Sequence, residues 1–505
     1  MRGARSSIIL LSALLLGIFI TFWNIYELSL LQKEHMRFHT DRKESTHNTY
    51  PVKANENTVN KPVFWIHGKN LNKGYLSHVI DVLERVGYTR GDGTNHWDVL
   101  WSHEYPFTQL KSVIDKLEPH QKINHFPGTG YITNKVYLAT SGIKFIPKAF
   151  SLPAQKTNFL EEAKQNPEKL WVQKSSSHRG IRVKPVEELD LGKQDTFVQE
   201  YIHNPLLIDG RKFDIGVYIT LTSVDPLRVY ILHDEILIRF CPKDYKPIDF
   251  KDVDKYVVGD DYTPTWEMPS LKKYYTEHSM SFKETLNSYL RSQDKDPDFI
   301  YRQVYEAIAG LFLNKNKNLM KSLDKMTHKR AYFELMRCDF VLDEDLNVYL
   351  MEVNMSPNLS SAHFEGNKHL YEQVIYNSLS VSGIARNVPA SLKSRPAYVK
   401  DFQVSERDIA VAMEECANEE SCDSCTEETC KLCQKCLSAD EKEILKDAYM
   451  EHLNRRSTRR VYPEPMTQED AQNYDTGEDA SLEANDRLMR AWFRAKCLQD
   501  ISWCQ

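Results

Sequence analysis

The sequence predicts an α+β fold, on three observations. Strand-like segments crowd residues 171 to 240, several of them alternate with helical segments in a mixture unlike a doubly wound fold, and an apolar hairpin follows near residue 340. The 505 residues are 41% hydrophobic and 27% charged, enough for a sizeable folded core. The same pattern leaves two segments outside that core, one at each end.

Ser6 to Tyr26, SSIILLSALLLGIFITFWNIY, carries no charge over 21 positions and follows the short flank 1–5. That length predicts a transmembrane signal-anchor helix over 6–26, with Trp23 and Tyr26 as interfacial anchors. Lys33, Arg37, Arg42 and Lys43 outnumber Arg2 and Arg5, which predicts a single-pass membrane protein with its body in the cytoplasm; a luminal orientation is the alternative. Residues 27–60 lack apolar periodicity and read as a polar stalk. Next, VFWIHG (63–68) predicts a buried strand, GYLSHVIDVLERVGY a helix, HWDVLWSH a second strand and HFPGTGY a turn. LWVQK, IRVKPV, TFVQEYI, KFDIGVYITLT and LRVYILHDEILIRF then read as strands, and YRQVYEAIAGLFLN (301–314) as a helix. The body, 61–385, is followed by an acidic cysteine-rich tail, 386–505. Residues 401–505 hold 24 acidic against 13 basic residues, a net charge of −11, which leaves +5 on the rest. So mild a basic excess predicts no nucleic-acid partner. Eight of the ten cysteines lie after residue 415, and CDSCTEETCKLCQKC permits either disulfides in an oxidising compartment or zinc in a reducing one. With the body in the cytoplasm, the expectation is that these cysteines are reduced or zinc-bound.

The stretch CDFVLDEDLNVYLMEVNMSP, Cys338 to Pro357, reads as a hairpin with polar residues where burial is expected. Glu352 and Asn354 are two apart and share a strand face, and Asp339 can meet them from the neighbouring strand. Three oxygen ligands on one face suit a hard cation such as Mg²⁺. Lys174 ends a strand before the small-residue loop SSSHRGIRV, a plausible phosphate clamp. Lys212 and Asp214 share a face of another strand, and the backbone of FVQEYI could read an adenine edge.

WVQKSSSHRGI, FVQEYIHNPLLIDGRKFDI, TSVDPLRVYI and FELMRCDFVLDEDLNVYLMEVNMSPNL, preceded by HFPGTGYITNK and FIPKAFSLP, resemble the successive blocks of the tubulin–tyrosine ligase-like family over about residues 62–385. The resemblance implies an ATP-grasp-like ligase fold and an ATP- and Mg²⁺-dependent enzyme, similar to the tubulin polyglutamylases, that adds glutamate to acidic protein tails of tubulin or microtubules. It makes Lys174 a phosphate contact, Arg179 and Gly180 part of the loop over the nucleotide, Gln199, Glu200, Tyr201 and Ile202 the adenine hinge, and Lys212 and Asp214 lining of the nucleotide site. Arg239 would meet the incoming amino acid, and Asp339, Glu352 and Asn354 would hold Mg²⁺. Attack of a carboxylate on the γ-phosphorus would give an acyl phosphate, which the added amine then displaces.

Two positions depart from the family pattern. Gly216 stands where an arginine commonly follows the KFD aspartate, and KDVDKYVVGDDYTPTWEMPSL replaces the familiar HLTNYS segment. These departures support an alternative, a catalytically impaired nucleotide-binding or scaffold protein at a membrane.

Overall fold

The computed structural model describes residues 61–505 apart from 70, 72–73, 95, 176–181, 387–402, 412–413, 418–421, 427–429, 475–478 and 480. The first sheet takes its strands in the order β2-β1-β3-β4: β1 (Val63–His67), β2 (Thr89–Gly91), β3 (Val99–Ser102) and β4 (Lys122–Ile123). All its pairings are parallel, and helix α1 (Ser77–Arg85) makes the crossover from β1 to β2. That arrangement corrects the α+β expectation to a mixed α/β one. A parallel pair needs a crossover, which the helical spacing of Val79, Val82 and Leu83 supplies by burying one face of α1.

The second sheet is antiparallel, in the order β5-β8-β6-β7: β5 (Ala149–Leu152), β6 (Trp171–Ser175), β7 (Arg182–Lys184) and β8 (Thr196–Glu200). Helix α2 (Lys135–Ala139) precedes it, started by Asn134, whose side chain accepts from the N–H groups of Val136 and Tyr137. Phe150, Phe159 and Trp171 form the core of this layer, with Phe159 on helix α3 (Lys156–Gln165).

The third sheet is built on the 14-residue strand β10 (Arg211–Val224). Around it lie β9 (Leu207–Ile208), β11 (Leu227–Leu232), β12 (Leu237–Phe240), β13 (Thr263–Pro264), β14 (Glu334–Leu342), β15 (Val348–Asn354) and β16 (Thr458–Tyr462). One edge of β10 pairs with β12 and then β11, the other with β14, which carries β15 in turn. The long helix α4 (Pro297–Leu323) buries Ile300, Val304, Ile308, Leu311 and Phe312 in the same large core as this sheet, and α5 (Lys368–Val381) follows the site hairpin.

The acidic C-terminal segment is folded against the body. Strand β16 pairs with β11, and Arg228 on β11 makes a two-pronged ion pair with Glu451 of helix α6 (Ala439–Asn454), at 2.8 and 3.0 Å. Helix α7 (Ala484–Gln499) contributes Leu488, Met489, Trp492 and Phe493 to a second apolar cluster with Ile444, Leu445 and Trp503. The tail cysteines are paired as Cys416–Cys433, Cys422–Cys430, Cys425–Cys436 and Cys497–Cys504, which corrects the expectation of reduced or zinc-bound thiols. Sulfur bonded to sulfur has no thiolate to offer a metal.

The expected membrane placement is also corrected. Among the described residues no helix is long and apolar enough to cross a membrane, so a single-pass protein, its membrane partner and its cytoplasmic body have no support there. The segment 6–26 on which that expectation rested lies outside the described residues.

Candidate functional site

Register brings six of the expected residues, Lys212, Asp214, Arg239, Asp339, Glu352 and Asn354, onto one face of the third sheet. Lys212, Asp214 and Gly216 alternate along β10; Arg239 on β12 stands opposite Asp214, and Asp339 on β14 stands opposite Gly216. Asp339 in turn faces Glu352 on β15, and Arg337 faces Asn354. A bulge between these strands, where Phe340 pairs with Leu350 and Asp339 with Glu352, leaves Met351 without an opposite residue. The extra residue keeps Leu350 and Val353 in the core while turning Glu352 and Asn354 to the site face.

Side chains knit this face together. Arg239 donates to both oxygens of Asp214 at 2.9 Å and to Asp339 Oδ2 at 3.0 Å. Arg337 grips both oxygens of Asp339, at 2.6 and 2.9 Å, and Asn354 Nδ2 donates to Asp339 Oδ2 at 3.1 Å. Burial works against the Asp339 carboxylate, but Arg337 and Arg239 outweigh it and hold its pKa below the usual range. For Asp214, burial and the neighbouring Asp339 outweigh Arg239 and push the pKa up. Lys135, at the start of α2, reaches Glu352 Oε1 at 3.1 Å. Sequence reasoning missed Lys135; the signal was the NK step closing the block HFPGTGYITNK, a lysine placed at a capped helix start.

Two lysines complete the cationic wall. Lys174 on β6 donates to Gln199 Oε1 at 2.8 Å, and Lys212 lies 4.8 Å from the centre of the Tyr201 ring. Burial lowers the pKa of each to about 8, and Lys212 adds repulsion at Lys174, where Glu352 pulls the other way. The residues expected to form an adenine hinge are more committed than their sequence suggests. Gln199 is buried, its amide spanning Lys174 and the Pro147 carbonyl, and Glu200 pairs with Lys169 at 3.1 Å. The N–H groups of Glu200 and Tyr201 are taken by the carbonyls of Lys148 and Leu170, while Ile202 is buried just beyond β8. Arg179 and Gly180 lie outside the described residues.

Gly216 has a structural counterpart. A Cβ on it would meet Arg337 Cδ at 2.8 Å and Leu237 Cβ at 3.3 Å, so the Arg337 side chain lies across the space a residue at 216 would occupy. A guanidinium therefore stands beside Asp339 although position 216 cannot supply one. The stretch that replaces HLTNYS returns to the same place: β13 sets Pro264 opposite Arg239, Arg211 donates to Thr263 Oγ1 at 2.7 Å, and Asn367 donates to the Tyr262 hydroxyl at 2.7 Å.

The donor set of Asp339, Glu352 and Asn354 is oxygen only, as a hard divalent cation requires. Asp339 Oδ2 already accepts three hydrogen bonds and Oδ1 one, which leaves Oδ1 a lone pair for a metal. These residues fit Mg²⁺, and five cationic side chains beside them suit a polyphosphate.

The sequence model of the tubulin-tyrosine ligase family matches residues 114–395. The chain is 42% identical over 481 residues to "Probable tubulin polyglutamylase ttll-15" of Caenorhabditis elegans, covering 92% of this chain and 90% of that protein. It is 24% identical over 471 residues to tubulin polyglutamylase TTLL6 of Mus musculus, covering 83% of this chain but 56% of that protein. With tubulin monoglutamylase TTLL4 of Homo sapiens it shares 29% identity over 288 residues, 53% of this chain and 23% of that one. The chain thus spans nearly all of the nematode relative and about half or less of the two mammalian ones. The family match over more than half of the chain, with 42% identity to the nematode relative along nearly its full length, makes this chain a member of the tubulin-tyrosine ligase family.

Proposed function

We propose that the chain is an ATP- and Mg²⁺-dependent ligase that joins glutamate to acidic protein tails, those of tubulin foremost. One observation carries the reading: the oxygens of Asp339, Glu352 and Asn354 share a sheet face with Lys212, Arg239 and Arg337, and Lys135 and Lys174 reach the same place from neighbouring elements. The choice of glutamate and tubulin follows the names of the relatives. In this reading Lys174 and Lys212 bind the phosphates, the 179–180 loop covers them, residues 199–202 border the base, and Arg239 orients the incoming amino acid. Asp339, Glu352 and Asn354 hold Mg²⁺, which when bound neutralises charge developing on the phosphoryl oxygens. Asp214 keeps Arg239 in place through its two-pronged contact.

The test is incorporation of labelled glutamate into microtubules by the full chain with ATP and Mg²⁺. Incorporation by the wild type and its loss in Glu352→Gln, with the fold intact, is the expected result. No incorporation of any amino acid, under conditions where a known ligase works, would sink the reading. A second reading, a nucleotide-binding scaffold, draws on the grip of Arg337 on both Asp339 oxygens, which competes with a metal. It predicts that ATP raises the melting temperature while wild type and Glu352→Gln are equally inert.

A further inference from the structure

We infer that His96, Asp98 and His120 form a binding site for a transition-metal ion of the zinc class, at the opposite end of the first sheet from the ligase site and independent of it. The three residues converge where β1, β3 and β4 enter that sheet. Asp98 directly precedes β3, His120 stands two residues before β4, and the N–H of Val63 at the start of β1 donates to Asp98 Oδ2 at 2.7 Å. The far end of β3 is the one that meets the site hairpin, where Ser356 donates to the His103 carbonyl at 2.7 Å.

The distances decide between an ordinary ion pair and a metal. His96 Nε2 lies 3.4 Å and His120 Nε2 3.5 Å from the same oxygen, Asp98 Oδ1. Both exceed the about 2.7–3.2 Å of an N–H···O hydrogen bond. Nitrogen and oxygen ligands placed about 2.0–2.1 Å from a tetrahedral zinc ion, by contrast, stand about 3.4 Å from one another. Among the described residues His120 Nε2 is buried and has no hydrogen-bond partner, a cost that a bound cation removes. The two imidazoles stack with centroids 5.2 Å apart, and both turn Nε2 toward the same Asp98 oxygen.

The ligands are also held from behind. Asp98 keeps only Oδ1 for the cluster, because Oδ2 is bound to Val63, and its backbone is fixed on both sides, to the Val63 carbonyl at 2.7 Å and the Lys122 N–H at 2.9 Å. Glu118 Oε2 lies 3.4 Å from His120 Nδ1, an exposed carboxylate beside the outer nitrogen of that ring. Gln121 closes the turn by accepting from the Glu118 N–H at 2.9 Å and donating to the Trp97 carbonyl at 2.8 Å, which ties the His96 and His120 loops together. His96 is exposed, so a fourth position opens to water. The bound ion would clamp the loop before β3 to the turn before β4.

The test uses the full chain, stripped with a chelator, kept non-reducing and titrated with Zn²⁺ or Co²⁺ alone. One equivalent should bind, raise the melting temperature and, for Co²⁺, give the visible spectrum of a tetrahedral ion with nitrogen and oxygen ligands. His120→Ala should abolish this binding, and exposed His96→Ala should weaken it without disturbing the fold. Glu352→Gln should leave it unchanged. Absence of stoichiometric binding in the wild type, wild-type affinity retained in both His96→Ala and His120→Ala, or a sulfur-to-cobalt charge-transfer band placing the ion among the tail cysteines would each overturn the proposal.

Discussion

Lys174 and Lys212 tie charge at the candidate site to pH. Below about pH 8 both are ammonium ions facing the space proposed for the phosphates; above it they lose their protons. Because these folded-state values lie below the unfolded 10.5, the empty fold binds fewer protons than the unfolded chain between pH 8 and 10.5 and gains stability there as pH rises, while ATP affinity moves the other way. ATP affinity measured by calorimetry is expected to fall above pH 8, approaching about tenfold per unit for each lysine lost, and Lys174→Met should flatten the profile. A pH-independent affinity in the wild type would remove both lysines from the phosphate site. Arg337 invites a different experiment. It fills the space over Gly216, so Gly216→Arg alone should crowd it and impair folding, and Arg337→Gly alone should leave Asp339 with one guanidinium fewer and lower ligation about a hundredfold. The double exchange Gly216→Arg with Arg337→Gly should recover much of the lost turnover. Failure to recover, with the fold intact, would mean that Arg337 acts only from its own strand. The glycine was legible as a missing cation; its replacement was not, because Arg337 is close to Gly216 only through the β10–β14 register.

The hairpin β14–β15 was the most legible element, since FVL and VYLMEV flank a polar turn and alternation assigns Asp339, Glu352 and Asn354 a common face. The bulge at Met351 was not visible, because alternation counted backward from Glu352 would have moved Leu350 to the site side. The parallel first sheet escaped for another reason: β2 and β4 are three and two residues long, too short for any period to show. What holds that sheet to β14 is a buried pair. Glu334 accepts from the Phe126 N–H at 2.6 Å and meets His125 Nδ1 at 2.7 Å, while His125 Nε2 donates to the Ser102 carbonyl at 2.9 Å. Burial raises the Glu334 pKa despite His125. Glutamine can make the same two contacts, one as acceptor and one as donor. Glu334→Gln should therefore cost little, whereas Glu334→Ala should cost about 3–5 kcal/mol by stranding the buried groups. Denaturant titration distinguishes them, and equal losses would show that the pair is ionised.

Composition misleads most about the C-terminal segment. Its net charge of −11 and its cysteines suggested an appendage, yet the acidic residues are spent on helix starts and ion pairs while the apolar ones converge. Ser438 and Glu441 form a capping box at the start of α6, Glu451 pairs with Arg228, and Trp492 and Trp503 meet inside the second cluster. Dependence runs in both directions. Without the segment, β11 becomes an open edge where β16 was paired, Arg228 is a buried charge without its partner, and the Leu227 N–H loses Asp486 at 2.7 Å. Breaking the Arg228–Glu451 pair alone costs about 3–5 kcal/mol, against a total stability of about 5–15 kcal/mol for an ordinary domain. A chain ending at residue 400 keeps every proposed ligase residue but also loses the whole Trp492 cluster, so the deficit exceeds what the rest can absorb. It should be insoluble or unfold without a cooperative transition, whereas Glu451→Ala in the full chain should stay folded with a lowered melting temperature. If residues 61–400 melt cooperatively within a few degrees of the full chain, the body owes the segment nothing. The loss of β16 would then be a tolerated edge rather than a missing strand of the sheet that carries the site.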